Sequence, residues 1–258
     1  QNDEGYYILD SKADLFWFAG MVNREEFDGE MNAELGCDID LEDEPWTAIG
    51  AGTYYCGHFN GNGFSVTGIN IAANENYEGS YVGFFGYVES STIENIKLYG
   101  NITVTEDTNA SYVGGLAGEA SNSTLKKCIS HIDIVVESDV ESVGGLLGCV
   151  SWAEEVVDIS YCASVGDITT VYATYAAGLI GSISGCEDDV TISYCYYKGN
   201  LVSEADFVGG IIGYTENNLI MTQVYTFATI CDDLSALPDG VEATTIVGGE
   251  FFFGDIFG

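Results

Sequence analysis

The chain has 258 residues and carries 41 acidic side chains against 6 basic ones, a net charge of −35. A field of that sign repels phosphate backbones and anionic lipid, which excludes nucleic acid as a partner. No apolar run approaches the ~18 residues of a membrane span, so membrane insertion is excluded as well. Hydrophobic residues make up 47% of the chain, aromatics 13%, and there are only two prolines. With no Ser/Pro-rich linker, this composition reads as one continuous domain over 1–258. Within it, 1–50 form an N-terminal cap and lead-in, 51–230 the repeat coils, and 231–258 a C-terminal cap or degenerate last coil. The chain opens at Gln1 without a basic-then-apolar leader, and this says nothing against export.

The first predicted element is a short helix from about residue 12 to 24. Ser11 with Asp14 makes a capping-box-like start, and Leu15, Phe18, Ala19 and Val22 then fall on one face that can cover a first rung. A lead-in follows, with Trp46-Thr47-Ala48-Ile49-Gly50 and Phe59-Asn60-Gly61-Asn62-Gly63 among its segments. Next, one motif returns five times: Val82-Gly83-Phe84-Phe85-Gly86, Val113 to Gly118, Val143 to Gly148, Ala176 to Gly181 and Val208 to Gly213. Its closing glycines are 32, 30, 33 and 32 residues apart. A fixed period in this range marks a stacked array whose single units cannot bury their own apolar faces.

Three further columns keep the same register. They are Ile93, Leu125, Ile159, Ile192 and Met221; Ile96, Cys128, Cys162, Cys195 and Val224; and Ile102, Ile134, Ile168, Leu201 and Ile230. All fifteen positions are apolar or Cys, and the segments around them are short and β-branched or aromatic, as strands prefer. A unit of ~32 residues is too short for a propeller blade and lacks the amphipathic helices of an α-solenoid. The spacing predicts an all-β, right-handed parallel β-helix of about six to eight coils with a short N-terminal capping helix. The glycines are expected at corners, where φ > 0 or a close backbone approach excludes a Cβ.

The Val-Gly-Gly-Leu-x-Gly repeat is followed by an apolar or Cys strand and the corners Gly100-Asn101-Ile102, Gly166-Asp167-Ile168 and Gly199-Asn200-Leu201. Over roughly residues 6 to 230 this pattern resembles the GLUG-motif repeat. That repeat occurs in bacterial surface and adhesin-like proteins and in non-catalytic regions of IgA-specific metallo-endopeptidases. The resemblance implies extracellular or cell-surface display and leaves the activity open.

Eight cysteines require a reading. Cys128, Cys162 and Cys195 share one inward column and are expected as buried free thiols. Cys149 and Cys186 each follow a glycine on neighbouring rungs, and their disulfide state is open. No Cys or His spacing suits zinc, so no metal is assigned. The runs Glu42-Asp43-Glu44, Glu154-Glu155 and Glu187-Asp188-Asp189 lack the spacing of a dedicated Ca²⁺ loop, which leaves a surface Ca²⁺ as the one possible ion.

An aromatic column precedes the glycine motif at Tyr81, Tyr112, Tyr175 and Phe207, with Ser142 interrupting it. Pointing inward, it is core packing; pointing outward, it is a stacking platform, and these four are then the first ligand-binding candidates. The two histidines, His58 and His131, are isolated, and no nucleophile–base or phosphate-binding motif appears. The expectation is therefore a non-catalytic secreted or surface module for adhesion or spacing, binding a glycan or protein along an extended face. The alternatives are a carbohydrate-processing β-helix and a non-catalytic segment of a larger surface protease. Oligomeric state is open, and the apolar tail around Phe251, Phe252 and Phe253 is expected to contact a neighbouring domain or chain.

Overall fold

The computed structural model describes residues 1–24, 31–75, 77, 79–105 and 108–231. Tail residues 232–258, and with them the expected last coil and its apolar contact, lie outside the described residues. The described chain is an all-β parallel solenoid with one helix, and each turn runs through four ladders. The first ladder stacks Tyr81–Val82, Tyr112–Gly114, Val140–Gly144, Ala173–Ala177 and Phe207–Gly209. The second stacks Phe85–Glu89, Ala117–Ser121, Leu147–Ser151, Ile180–Ser184 and Ile212–Thr215. The third is eight strands long and runs from Tyr7–Leu9 to Leu219–Thr222. The fourth is centred on the long strands Ser65–Ala73, Lys97–Val104 and Ile129–Val136 and splits into two short strands per turn thereafter.

Five turns carry a strand on every face, fewer than the six to eight expected. The lead-in strands before Tyr81 join only the third and fourth ladders, and touch the second through the bridges Ile49–Phe85 and Tyr55–Val88. Every pairing is parallel, and the register is the one written in the repeat. Leu125 pairs with Ile93 and Ile159, Ile134 with Ile102 and Ile168, and Leu201 with Ile168 and Ile230. In the cysteine column the backbone N–H of Cys128 meets the Sγ of Cys162 at 3.4 Å, and that of Cys162 meets the Sγ of Cys195 at 3.3 Å. These cysteines and Ile96 are wholly buried, while Val224 on the last rung is partly buried. All three thiols are free, as are Cys149 and Cys186.

The helix occupies Lys12–Val22, with Ser11 as its N-cap, accepting from the Asp14 N–H, and Leu15, Phe18, Ala19 and Val22 buried. Phe18 meets Tyr55 and Phe59 with ring centroids 6.1 Å from each, so the helix closes the end of the core with an aromatic plug. Burying one such ring contributes about 2–3 kcal/mol. At the other end of the helix, the Asn23 side chain donates to the Ala48 carbonyl and accepts from the Gly50 and Ala51 N–H groups, which ties the lead-in to the cap. No described helix is long and apolar enough to cross a membrane.

The motif glycines meet the second of the two expected reasons, close backbone approach. Left-handed φ values at the corners fall mostly on non-glycine residues: Ser90, Asn122 and Trp152 between the second and third ladders, where Gly185 takes the same place on the fourth turn, and Asn95, Lys127, Tyr161, Tyr194 and Gln223 between the third and fourth. None of the repeated-motif glycines has a positive φ. They serve close approach instead. A Cβ on Gly118 would lie 2.7 Å from the Val82 nitrogen and 2.8 Å from the Tyr81 Cα, and one on Gly148 would lie 2.6 Å from the Val113 nitrogen. Gly181 meets Val143 and Gly213 meets Ala176 in the same way. The motif thus folds each second-ladder strand against the first-ladder strand of the preceding turn, which any side chain would hold apart.

Candidate functional site

This close approach creates a groove along the outside of the solenoid. One wall is the outward column of the first ladder, paired in the order Tyr81, Tyr112, Ser142, Tyr175 and Phe207. The four aromatics are half-buried, whereas the alternate positions Val82, Val113, Val143 and Ala176 fill the core. The expected column therefore faces outward, because Val and Ala suit the narrow interior beside the glycines.

The other wall is the outward column of the second ladder: Tyr87, Glu119, Cys149, Ser182 and Tyr214. Apart from Cys149, weighed only for a disulfide, these residues were not singled out in the sequence, since their chemistry differs from rung to rung. A signal was present: each directly follows a closing glycine, at Gly86, Gly118, Gly148, Gly181 and Gly213.

The walls meet as two aromatic clusters around a small-residue centre. At one end Tyr81 stacks on Tyr112 at 5.9 Å and lies 5.4 Å from Tyr87. At the other, Tyr214 stacks on Tyr175 at 4.8 Å and packs on Phe207 at 5.7 Å. The stacked rings turn their faces to one another, so solvent meets ring edges, hydroxyls and the outermost faces. Between the clusters lie Ser142, whose hydroxyl donates to the Gly148 carbonyl at 2.7 Å, and Ser182, whose hydroxyl donates to the Cys149 sulfur at 3.4 Å.

Glu119 is the unusual member. Only 5% of it is exposed, and its carboxylate accepts from the Ser151 hydroxyl, with Tyr81 nearby. Burial is the main cause that raises its pKa; Ser151 and Tyr81 oppose the rise, and the nearby carboxylates of Glu141 and Glu89 add to it. Burial likewise pushes the Cys149 thiol up to about 12, leaving it protonated at neutral pH. The Tyr112 hydroxyl sits 2.9 Å from Glu141, and burial first, then this bond, raises its pKa. All six basic residues lie outside the strands of the first and second ladders.

The other candidates fall elsewhere. His58 is held between the Tyr6 hydroxyl, 2.5 Å from Nδ1, and Glu94, 2.9 Å from Nε2, so it staples the N-terminal segment to the third ladder. His131 stacks on Tyr99 at 4.4 Å on the outer side of the fourth ladder. Cys186 sits at a corner, bonded to the Ser184 carbonyl, and does not join Cys149. The Glu42 and Glu44 carboxylates both contact Lys12. A second set of exposed aromatics occupies the corner between the third and fourth ladders, where Tyr161 and Tyr194 stack at 4.7 Å beside Tyr196 and Tyr225.

No protein-family model matches this chain, and no curated protein matches it. Among solved structures it is similar to one described as a "putative immunoglobulin A1 protease from Bacteroides ovatus", with a TM-score of 0.54 and 14% identity. The match covers 95% of this chain and 83% of that one. At this identity the likeness speaks for the β-solenoid fold alone.

Proposed function

We propose that this chain is a non-catalytic binding module of a larger surface-displayed protein and that it engages its partner along the groove between the first and second ladders. The observation that carries the reading is the groove itself: two columns five rungs long whose half-buried aromatic clusters stand at the two ends of a rigid scaffold, on either side of a closed centre at Ser142, Cys149 and Ser182. Such an arrangement suits extended, repeated contacts with a glycan or a polypeptide, each weak alone and stronger together. Its hydroxyls and thiol support binding over turnover. Ser142 and Ser182 are donors to a carbonyl and a sulfur, and the Cys149 thiol is held protonated. The GLUG-like repeat, with the structural likeness to a protein described as an IgA1 protease, supports placing the module in a longer surface protein whose chemistry lies outside these residues.

The test is a screen of the purified chain against arrays of surface glycans and proteins, run beside a Tyr112→Ala/Tyr175→Ala variant. A partner held by the parent and lost by the folded variant is expected. A partner held equally by both, or turnover of a bound glycan or peptide, contradicts the reading.

A further inference from the structure

A second surface stands apart from the groove, at the corner between the second and third ladders. Trp152 is 76% exposed there, the most exposed of the large apolar side chains described. Its φ of +50° is left-handed, an unfavourable conformation for a bulky residue, which neighbouring turns give to Ser90, Asn122 and Gly185. The residue is nonetheless fixed in place. Its N–H donates to the Ser184 carbonyl at 3.2 Å, and its carbonyl accepts from the Ser121 hydroxyl at 3.3 Å. A Cβ added to Gly185 would lie 3.3, 3.4 and 3.6 Å from Cε3, Cδ2 and Cζ3 of the indole. Near-equal distances to three adjacent ring atoms put that point over the ring's face, since an approach from the edge would leave two of them much farther than the first. One face of the indole therefore lies on Gly185. The opposite face is turned to solvent, and no described aromatic ring packs on it.

The charge at this corner has one sign. Glu216, one turn beyond Gly185, accepts from the Gly185 N–H at 3.1 Å, so its carboxylate and the indole meet at the same glycine. That bond uses one of its two oxygens. Glu154 and Glu155 follow Trp152 after Ala153, and the Glu187 N–H bonds to the Ala153 carbonyl at 2.8 Å, which sets another acid on the same corner. All four glutamates are exposed. The basic residues are Lys12, Arg24, Lys97, Lys126, Lys127 and Lys198, and none falls in a segment that joins the second ladder to the third. An open aromatic face thus sits among carboxylates with no cation from its own corner.

We infer that Trp152 is a docking point for an arginine of a partner protein, with the planar guanidinium on the open indole face and the second oxygen of Glu216 accepting one of its N–H groups. Indole is the best aromatic face for a cation. A guanidinium stacks flat and still carries N–H donors at its rim, a combination an ammonium lacks. Exposed pairs of Trp and Arg are frequent anchors of protein interfaces. Holding the ring on Gly185 before the partner arrives reduces the ordering that binding requires. The site lies beyond the end of Leu147–Ser151 and is independent of the groove.

The experiment follows the indole N–H signals of Trp17, Trp46 and Trp152 by NMR. The probes are acetyl-Gly-Arg-Gly-amide, its citrulline and lysine counterparts, and methyl glucoside. The arginine peptide is expected to shift the Trp152 signal saturably, and to move Trp17, an exposed indole packed against Tyr7, much less. It should bind at least about threefold tighter than the citrulline peptide, which keeps the shape without the charge, and about twofold tighter than the lysine peptide. Because a chain at −35 attracts any cation, a charge control is needed. Glu216→Gln should weaken the arginine peptide by about threefold, and Glu4→Gln, a remote exposed carboxylate, by none. Trp152→Asn gives this corner the residue type of Asn122 and should melt no lower than the parent, as a ring held for binding rather than packing requires.

Equal binding of the arginine and citrulline peptides, or equal losses in Glu4→Gln and Glu216→Gln, overturns the inference. So does a Trp152 signal that answers to the glucoside and not to arginine. A Trp152→Asn melt well below the parent overturns it as well, by assigning the ring to packing on Gly185. None of these outcomes bears on the groove reading, which is tested through Tyr112 and Tyr175.

Discussion

At the scale of single residues, the groove is built by what the glycines lack and strained by what Glu119 carries. A Cβ on Gly144 would overlap the Leu147 carbonyl oxygen, whereas one on Gly20, on the helix surface, meets nothing within 4 Å. Gly144→Ala should therefore destabilise by roughly 3 kcal/mol or prevent folding, because backbone atoms must move apart. Gly20→Ala should stabilise by up to about 1 kcal/mol through helix propensity. Denaturant midpoints of the two variants check this pair. Glu119 gives a pH prediction. Its folded pKa is raised, so its stabilising share is present below its unfolded pKa and is lost as pH rises through the folded value. Glu119→Gln should melt like the parent near pH 4 and be more stable by about 1 kcal/mol at pH 7. Melts of the exposed control Glu154→Gln, which should show no such divergence, separate this from general charge repulsion.

At the scale of elements, the ladders were legible because burial imposes the same residue type at the same place on every rung. The columns through Leu125, Cys162 and Ile134 are apolar in all five turns, so their register needed no structure to be read. The helix was legible for a related reason: Ser11 caps it, and its buried face recurs at helical spacing. The groove was half legible. Its first wall was quoted from the sequence, but whether Tyr112 pointed in or out depends on the narrow interior beside Gly114 and Gly115, a tertiary fact. Its second wall was missed because outward positions are free to vary, and Tyr87, Glu119, Cys149, Ser182 and Tyr214 share no chemistry. The corners show a further limit. The sequence placed glycines where φ is positive or backbones approach closely; the motif glycines serve the approach, while Lys127, Trp152, Tyr161 and Tyr194 accept the left-handed conformation. Each does so at about 1–2 kcal/mol, offset by the paired ladders on either side. The element-scale prediction concerns the cysteine column. Cys128, Cys162 and Cys195 should resist a bulky alkylating reagent in the native state and react fully after denaturation, as mass spectrometry of the labelled peptides would show. Native labelling of any of the three, or a disulfide between two of them, would contradict the stacking.

At the scale of the whole molecule, the solenoid presents two rival aromatic surfaces. One is the groove, where rings from two ladders interlock around Glu119. The other is the corner bearing Tyr161, Tyr194, Tyr196 and Tyr225, where the rings stand out from a single convex edge. A partner laid in the groove touches rings from two walls at each end, while one on the corner touches a single edge, so the groove offers more contact at each cluster. The most direct measurement is ring-proton NMR of protein labelled in Tyr and Phe, titrated with whichever partner the screen recovers. The account predicts shifts at Tyr81, Tyr87, Tyr112, Tyr175, Phe207 and Tyr214, with Tyr161, Tyr194, Tyr196 and Tyr225 unmoved. Shifts confined to the corner tyrosines, with the groove rings silent, would contradict it.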